Sequence, residues 1–168
     1  APVVVASARA LMHKTLPVRE FRQGLREYHR GQEIDLQRTV ESWVAHGYRP
    51  APVVEEPGTF SRRGGLVDVF PPNLVQPVRI ELFGDEIDSL RSFDPTTQRT
   101  LEQIERFVLA PASEALPRLA AQASRRVAGL DLGLCHPPAR MEYQEDLAHL
   151  EQGLYFRGNA FYLPFFYS

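Results

Sequence analysis

A single cysteine, Cys135, leaves this 168-residue chain without a partner for an intramolecular disulfide and suits a reducing compartment. No apolar run approaches the length of a membrane span, and the opening Ala1-Pro2-Val3-Val4-Val5-Ala6 lacks the basic stretch that precedes the apolar region of a signal peptide. A cytoplasmic protein is expected. Lys14 is the only lysine, so the cations are almost all arginine, whose planar guanidinium suits bidentate protein contacts better than an ammonium does. The chain contains no glycine-lysine pair, which a phosphate-cradling GxxxxGK[ST] loop requires, and so it cannot be a complete P-loop ATPase. A net charge of -2 argues against a broad nucleic-acid-binding surface, because neutralising phosphates needs an excess of cations on one face.

Catalytic constellations are also missing. The histidines, His13, His29, His46, His136 and His149, show no metal-ligand spacing, and Cys135-His136 is a bare dipeptide with no second pair. Asp85-Glu86 follows Gly84 and reads as a hairpin turn rather than a magnesium-binding pair. Glu145 and His149 are one helical turn apart, a spacing that on a polar face gives only weak pairing. No catalytic residue, cofactor or metal is predicted.

What the chain does have is a β-rich centre between helical flanks, giving an α+β class: an antiparallel meander packed with about three helices. A chain of this length forms one domain, or one domain with pieces of a neighbour, and buries roughly 70% of its unfolded surface. Leu66 to Phe70 is a strand opened by Gly64-Gly65 and closed by Pro71-Pro72-Asn73. In the next strand Val78, Ile80 and Leu82 share one face and Arg79, Glu81 and Phe83 the other, because side chains alternate. Gly84-Asp85 turns the chain, and Glu86 to Phe93 runs back until Asp94-Pro95.

The flanks are read from periodicity. Val3 to Ala6 reads as a buried strand. Arg19, Arg22, Arg26 and Arg30 recur at three- and four-residue steps; Gly24 and Gly31 leave helix and strand equally open for Leu25 to Arg30, and the row is either a phosphate-tracking stripe or a solvated face, the latter favoured by the overall charge. Asp35 caps a helix with Leu36, Val40, Trp43 and Val44 inward and Gly47 as its stop. Pro50 to Gly58 connects it to the meander. Ser113-Glu114 opens a second helix carrying Leu116, Leu119, Ala120, Ala123, Val127 and Leu130, with Pro117 in its first turn, and Cys135 to Pro138 breaks the chain. Arg140 to Gln152 forms a third, ended by Gly153, with Met141, Leu147 and Leu150 inward. The apolar end, Phe161 to Tyr167, points to a continuation in a longer protein.

One feature suggests function. Phe83 stands beside Arg79 and Glu81, with Arg62 and Arg63 at the neighbouring turn, and aromatic and arginine anchors dominate protein-protein binding energy. Composition leaves two places open for Phe83, under the Trp43 helix or outward as a contact. One of Arg62 and Arg63 could instead pair with Glu81 or Asp68.

The run Glu56-Pro57-Gly58-Thr59-Phe60-Ser61-Arg62-Arg63-Gly64-Gly65-Leu66-Val67-Asp68-Val69-Phe70-Pro71, continuing through Val78 to Arg91, resembles the UvrB-homology module of bacterial nucleotide excision repair. UvrB and the transcription-repair coupling factor Mfd share this module. Ser92 to Thr100 and Tyr155 to Tyr167 are more similar to the Mfd family, with the UvrA-binding domain of UvrB as the alternative. The resemblance implies that residues 1–18 are a remnant of an ATPase-like first domain, residues 19–112 a UvrA-interaction domain and residues 113–168 a helical return into the first domain. It implies UvrA as partner, bound through Arg63, Arg79 and Phe83, with no role assigned to Arg62. It further implies that a C-terminal domain of the full-length protein masks this face, and that an ATP-dependent DNA translocase motor, RNA polymerase binding and DNA contacts belong to other domains.

Overall fold

The computed structural model describes residues 3, 5–8 and 14–167 and has the expected α+β class. Helix α1 (Val18–Gly24) leads into strand β1 (Arg26–His29), and helix α2 (Leu36–Ala45) into β2 (Arg49–Pro50). The meander follows: β3 (Thr59–Arg63), β4 (Leu66–Val69), β5 (Val78–Phe83), β6 (Glu86–Phe93) and β7 (Thr100–Ile104). Strands β3 to β7 pair antiparallel in chain order, and β2 adds to the β3 edge in parallel. Strand β8 (Arg106–Leu109) leaves this sheet and pairs with β1. A 3-10 turn (Pro117–Leu119), α3 (Ala120–Val127), α4 (Pro137–Glu151), a second 3-10 turn (Asn159–Tyr162) and α5 (Leu163–Phe166) complete the order.

Helix α2 organises the main core. The Asp35 carboxylate accepts from the Arg38 backbone N–H at 3.0 Å, satisfying one donor of the first turn. Trp43, 1% exposed, fills the space between the two sheets, within ring-contact distance of Tyr28, Tyr48 and Phe60. Its indole N–H donates to the Tyr28 hydroxyl at 2.9 Å, so its one polar atom is satisfied within the core. One face of the meander, with Phe60, Val67, Val69, Val78, Ile80 and Leu90, packs against it.

The helix ends as the sequence predicts. The Tyr48 N–H bonds the Trp43 carbonyl and the Gly47 N–H bonds the Val44 carbonyl, both at 3.0 Å, with Gly47 at φ +94°. A Cβ at Gly47 would lie 2.4 Å from the Ser113 Cβ and 2.9 Å from its backbone nitrogen. Gly47→Ala is therefore expected to cost about 2–4 kcal/mol, from left-handed strain plus overpacking against backbone. A thermal melt checks this; an unchanged midpoint would show that the Ser113 segment yields freely.

A second core lies among the C-terminal elements, where Ala120, Ala123 and Val127 of α3 meet Leu150 of α4 and Tyr162, Leu163 and Phe166. Val54, Phe70 and Phe93 form a third, small cluster.

Several local expectations are corrected. Leu25 to Arg30, which the sequence leaves open between helix and strand, takes the strand alternative after a helix that stops at Gly24: a Cβ at Gly24 would lie 2.4 Å from the Pro111 ring, so the chain turns where only glycine fits. Val3 and Val5 are exposed and lie in no strand, having no neighbouring strand to pair with among the described residues; Ala1, Pro2 and Val4 fall outside those residues. The second predicted helix begins later, because Ser113 Oγ accepts from the Ala115 N–H in a local turn and Pro117 starts a 3-10 turn; Leu130 lies beyond its end and is exposed. Pro137 and Pro138 start α4 instead of breaking the chain, since the first helical turn needs no N–H. Met141 is 65% exposed, because the inward stripe is Tyr143, Leu147 and Leu150 and Met141 sits about 200° around the helix from Tyr143. Val44, at the margin of the α2 stripe, is 42% exposed.

Candidate protein-docking face

The meander turns its second face outward at one end, and the register decides what stands there. Val67, Ile80 and Leu90 are paired across β4, β5 and β6 on the core face, so the neighbouring Asp68, Arg79 and Arg91 share the opposite face. Leu66 and Glu81, paired across β4 and β5, also lie there. The β3–β4 and β5–β6 hairpins come side by side, because the Leu82 N–H donates to the Gly65 carbonyl at 2.8 Å. Their tips, Gly64 and Gly84, both take φ +63°, the left-handed conformation that tight hairpins favour in glycine. Arg63, at the end of β3, and Phe83, at the end of β5, thus meet at the same rim of the sheet.

Phe83 settles between its two alternatives: it is 83% exposed and contributes nothing to the core under α2. A register shift between Glu81 and Leu82 accompanies this placement, with Leu82 packed against the core and Phe83 presented outward opposite Glu86. An isolated aromatic so exposed needs no structural explanation alone; next to anchored arginines it has the composition of a protein-contact surface.

Both arginines are anchored by one buried carboxylate. Arg79 grips Asp68 with two bonds, Nε to Oδ1 at 2.7 Å and Nη2 to Oδ2 at 2.9 Å, and Arg63 Nη2 reaches Asp68 Oδ2 at 3.3 Å. The Asp68 side chain is 1% exposed, Arg79 19% and Arg63 57%, so the pairing runs from interior to surface. The Asp68 hydrogen bonds raise the pKa of Arg79 further, against the opposing effect of burial. Its guanidinium carbon lies 4.7 Å from the centroid of the Phe93 ring, which fixes its plane. Glu81 pairs with Arg91 at 3.3 Å and accepts from Ser89 Oγ at 3.0 Å, neutralising the adjoining stretch.

The structure thus brings Arg63, Arg79 and Phe83 to one face. Arg62 alternates to the other, opposite Val67, and is exposed beside the turn. From the sequence, Asp68 is only one possible partner of an arginine at the turn. Its position between Val67 and Val69 placed it off the core face, but that two guanidinium groups converge on it emerges only from the register.

The arginine row near the start does not form a continuous stripe. Arg19 and Arg22 lie on α1 and Arg26 on β1, and the break at Leu25 redirects the chain between them. Arg26 donates to the Gln23 and Leu25 carbonyls and Arg30 to the Asp88 carbonyl, which ties two of the four to backbone. Among the described residues no group of three or more histidine, cysteine, aspartate or glutamate side chains could hold a metal ion, and no helix is long and apolar enough to cross a membrane.

A family described as the UvrB interaction domain matches residues 27–114, a span that holds the whole face and all of both sheets but Arg26. The chain belongs to that family. Curated relatives agree: a transcription-repair-coupling factor of Myxococcus xanthus is 38% identical over 171 residues, covering 99% of this chain. One of Bacillus subtilis (strain 168) is 33% identical over 151 residues and 89% of the chain, and one of Staphylococcus haemolyticus (strain JCSC1435) is 45% identical over 84 residues and 50% of the chain. This UvrB interaction domain, with its flanks, spans only 14% of the Myxococcus xanthus relative and 13% of the Bacillus subtilis one.

Proposed function

We propose that the chain is a non-catalytic docking module of a transcription-repair coupling factor, which binds UvrA and so brings nucleotide excision repair to stalled RNA polymerase. The observation that carries this reading is Phe83, exposed at the rim of the family's own fold beside two arginines that a buried carboxylate holds in place. Arg63, Arg79 and Phe83 are the partner-binding residues in this reading. Residues 19–112 are the interaction domain, flanked by segments 1–18 and 113–168 of a first domain, and no residue of the chain carries out catalysis. Translocation, polymerase binding and DNA contacts belong to other parts of the longer protein, whose C-terminal domain covers this same face.

The module is expected to bind purified UvrA with neither ATP nor DNA present. Arg63→Ala tests the face with little damage to the fold, because Arg63 is more than half exposed, and should weaken binding about fivefold or less, as expected of a rim arginine. Arg79→Ala is a poorer probe, since it strips the buried Asp68 carboxylate of its bidentate partner. Failure of the parent chain to co-elute with UvrA, while duplex DNA binding falls steeply with added salt, would favour the arginine row as a local DNA contact instead.

A further inference from the structure

We propose that Asp68 is a positioning residue of the docking face, holding Arg63 and Arg79 together as one receptor for a single carboxylate on the partner; this rests on the UvrA-docking reading above. Asp68 is 1% exposed, so its carboxylate reaches the partner only through the two guanidinium groups. Arg79 spends its Nε and Nη2 on Asp68 and Arg63 one Nη2 contact, which leaves the outer N–H groups of both available. Two guanidinium groups against one carboxylate leave one net positive charge on this cluster; the neighbouring Glu81–Arg91 pair is neutral, and the negative Glu86 stands at the rim opposite Phe83. A partner surface that meets this patch therefore places one aspartate or glutamate against the arginines and an apolar pocket against Phe83.

The arrangement is preorganised. Arg79 is fixed by Asp68 on one side and by the Phe93 ring at 4.7 Å, so its rotamer entropy is already lost before the partner arrives. Arg63, 57% exposed, has only the single 3.3 Å contact to restrain it. The carboxylate acts through the arginines, and its removal changes both their placement and the charge of the face.

The test is the binding kinetics of Asp68→Asn against immobilised UvrA, with the folded fraction read from circular dichroism. The variant should dissociate at least tenfold faster while associating as fast as the parent or faster, because the face gains a positive charge. A purely structural role would lower the folded fraction and leave dissociation of the folded molecules unmoved. Should Asp68→Asn not fold, Arg63→Lys replaces it: an exposed position that keeps its charge but loses the planar fork, expected to weaken binding as much as Arg63→Ala does. Dissociation of Asp68→Asn within twofold of the parent, or full affinity of Arg63→Lys, would overturn the proposal. Phe83→Ala, measured alongside, separates the two levels: if it weakens binding and these variants do not, only the Asp68 role is lost; if it too binds like the parent, the docking reading fails.

Discussion

Replacing Phe83 with alanine is expected to weaken UvrA binding about thirtyfold, or about 2 kcal/mol, and to leave the thermal midpoint within a degree or two of the parent. The two halves of this expectation have one origin. A side chain that is 83% exposed makes little contribution to the fold, so truncating it leaves no cavity. In a complex the same ring loses its water and fills a pocket, and the energy of that desolvation appears only on binding. The backbone under Phe83 is well supported: Leu82 packs on the core, its N–H is bonded to Gly65, and the β5–β6 pairing continues to Glu86. Titration calorimetry supplies the affinity and a thermal melt the midpoint. A large fall in midpoint would place Phe83 in the fold and return it to the alternative that composition had left open.

The second large effect lies on the opposite face. Trp43→Ala is expected to destabilise the chain by about 3–5 kcal/mol, read as a shift of the urea midpoint at constant slope. Trp43 is 1% exposed and stands at the junction of both sheets, with Tyr28 at 6.0 Å edge-on, Phe60 at 5.8 Å and Tyr48 at 6.1 Å between ring centroids. Its removal opens a cavity that no single neighbour can fill, since Tyr28 and Phe60 are held by their strands and Tyr48 by the bond from its hydroxyl to the Ala110 carbonyl. It also takes away the donor that the Tyr28 hydroxyl accepts from in the core. The proposed docking residues lie across the sheet, so the molecules that remain folded should bind UvrA with unchanged affinity. A loss of less than about 1 kcal/mol would show that the two sheets are held together by something other than this indole.

Much of this arrangement is legible in the sequence, and the reasons are local. The meander is marked by glycine and proline punctuation and by two-residue alternation, so β6 runs from Glu86 to Phe93 as read. The α2 cap and stop are chemical signals in single residues, Asp35 and Gly47. The C-terminal helices were harder to place, because Pro117, Pro137 and Pro138 have opposite meanings at a helix start and in its interior, and only the packing of Leu147 and Leu150 fixes which side of α4 is inward. At the candidate site, alternation alone put Arg79 and Phe83 on one face. The exposure of Phe83 was not readable, because it depends on a sheet covered by α2 on one side and only partly covered on the other. Nor was the convergence of Arg63 and Arg79 on Asp68, which depends on register between three strands rather than on spacing within one.

The face also explains why its residues should respond differently to substitution. Phe83 and Arg63 are free to change without structural penalty, whereas Arg79 and Asp68 form a half-buried pair in which removing either partner strands the other. Mutational maps of this surface therefore need folding and binding read separately at every position.

The central claim is met most directly by calorimetric titration of UvrA into the parent chain and into Phe83→Ala, with nucleotide and DNA absent. Saturable binding of the parent, reduced about thirtyfold in the variant at equal folded fraction, is the predicted result. Equal binding of the two proteins, or no binding by a folded parent, would contradict it.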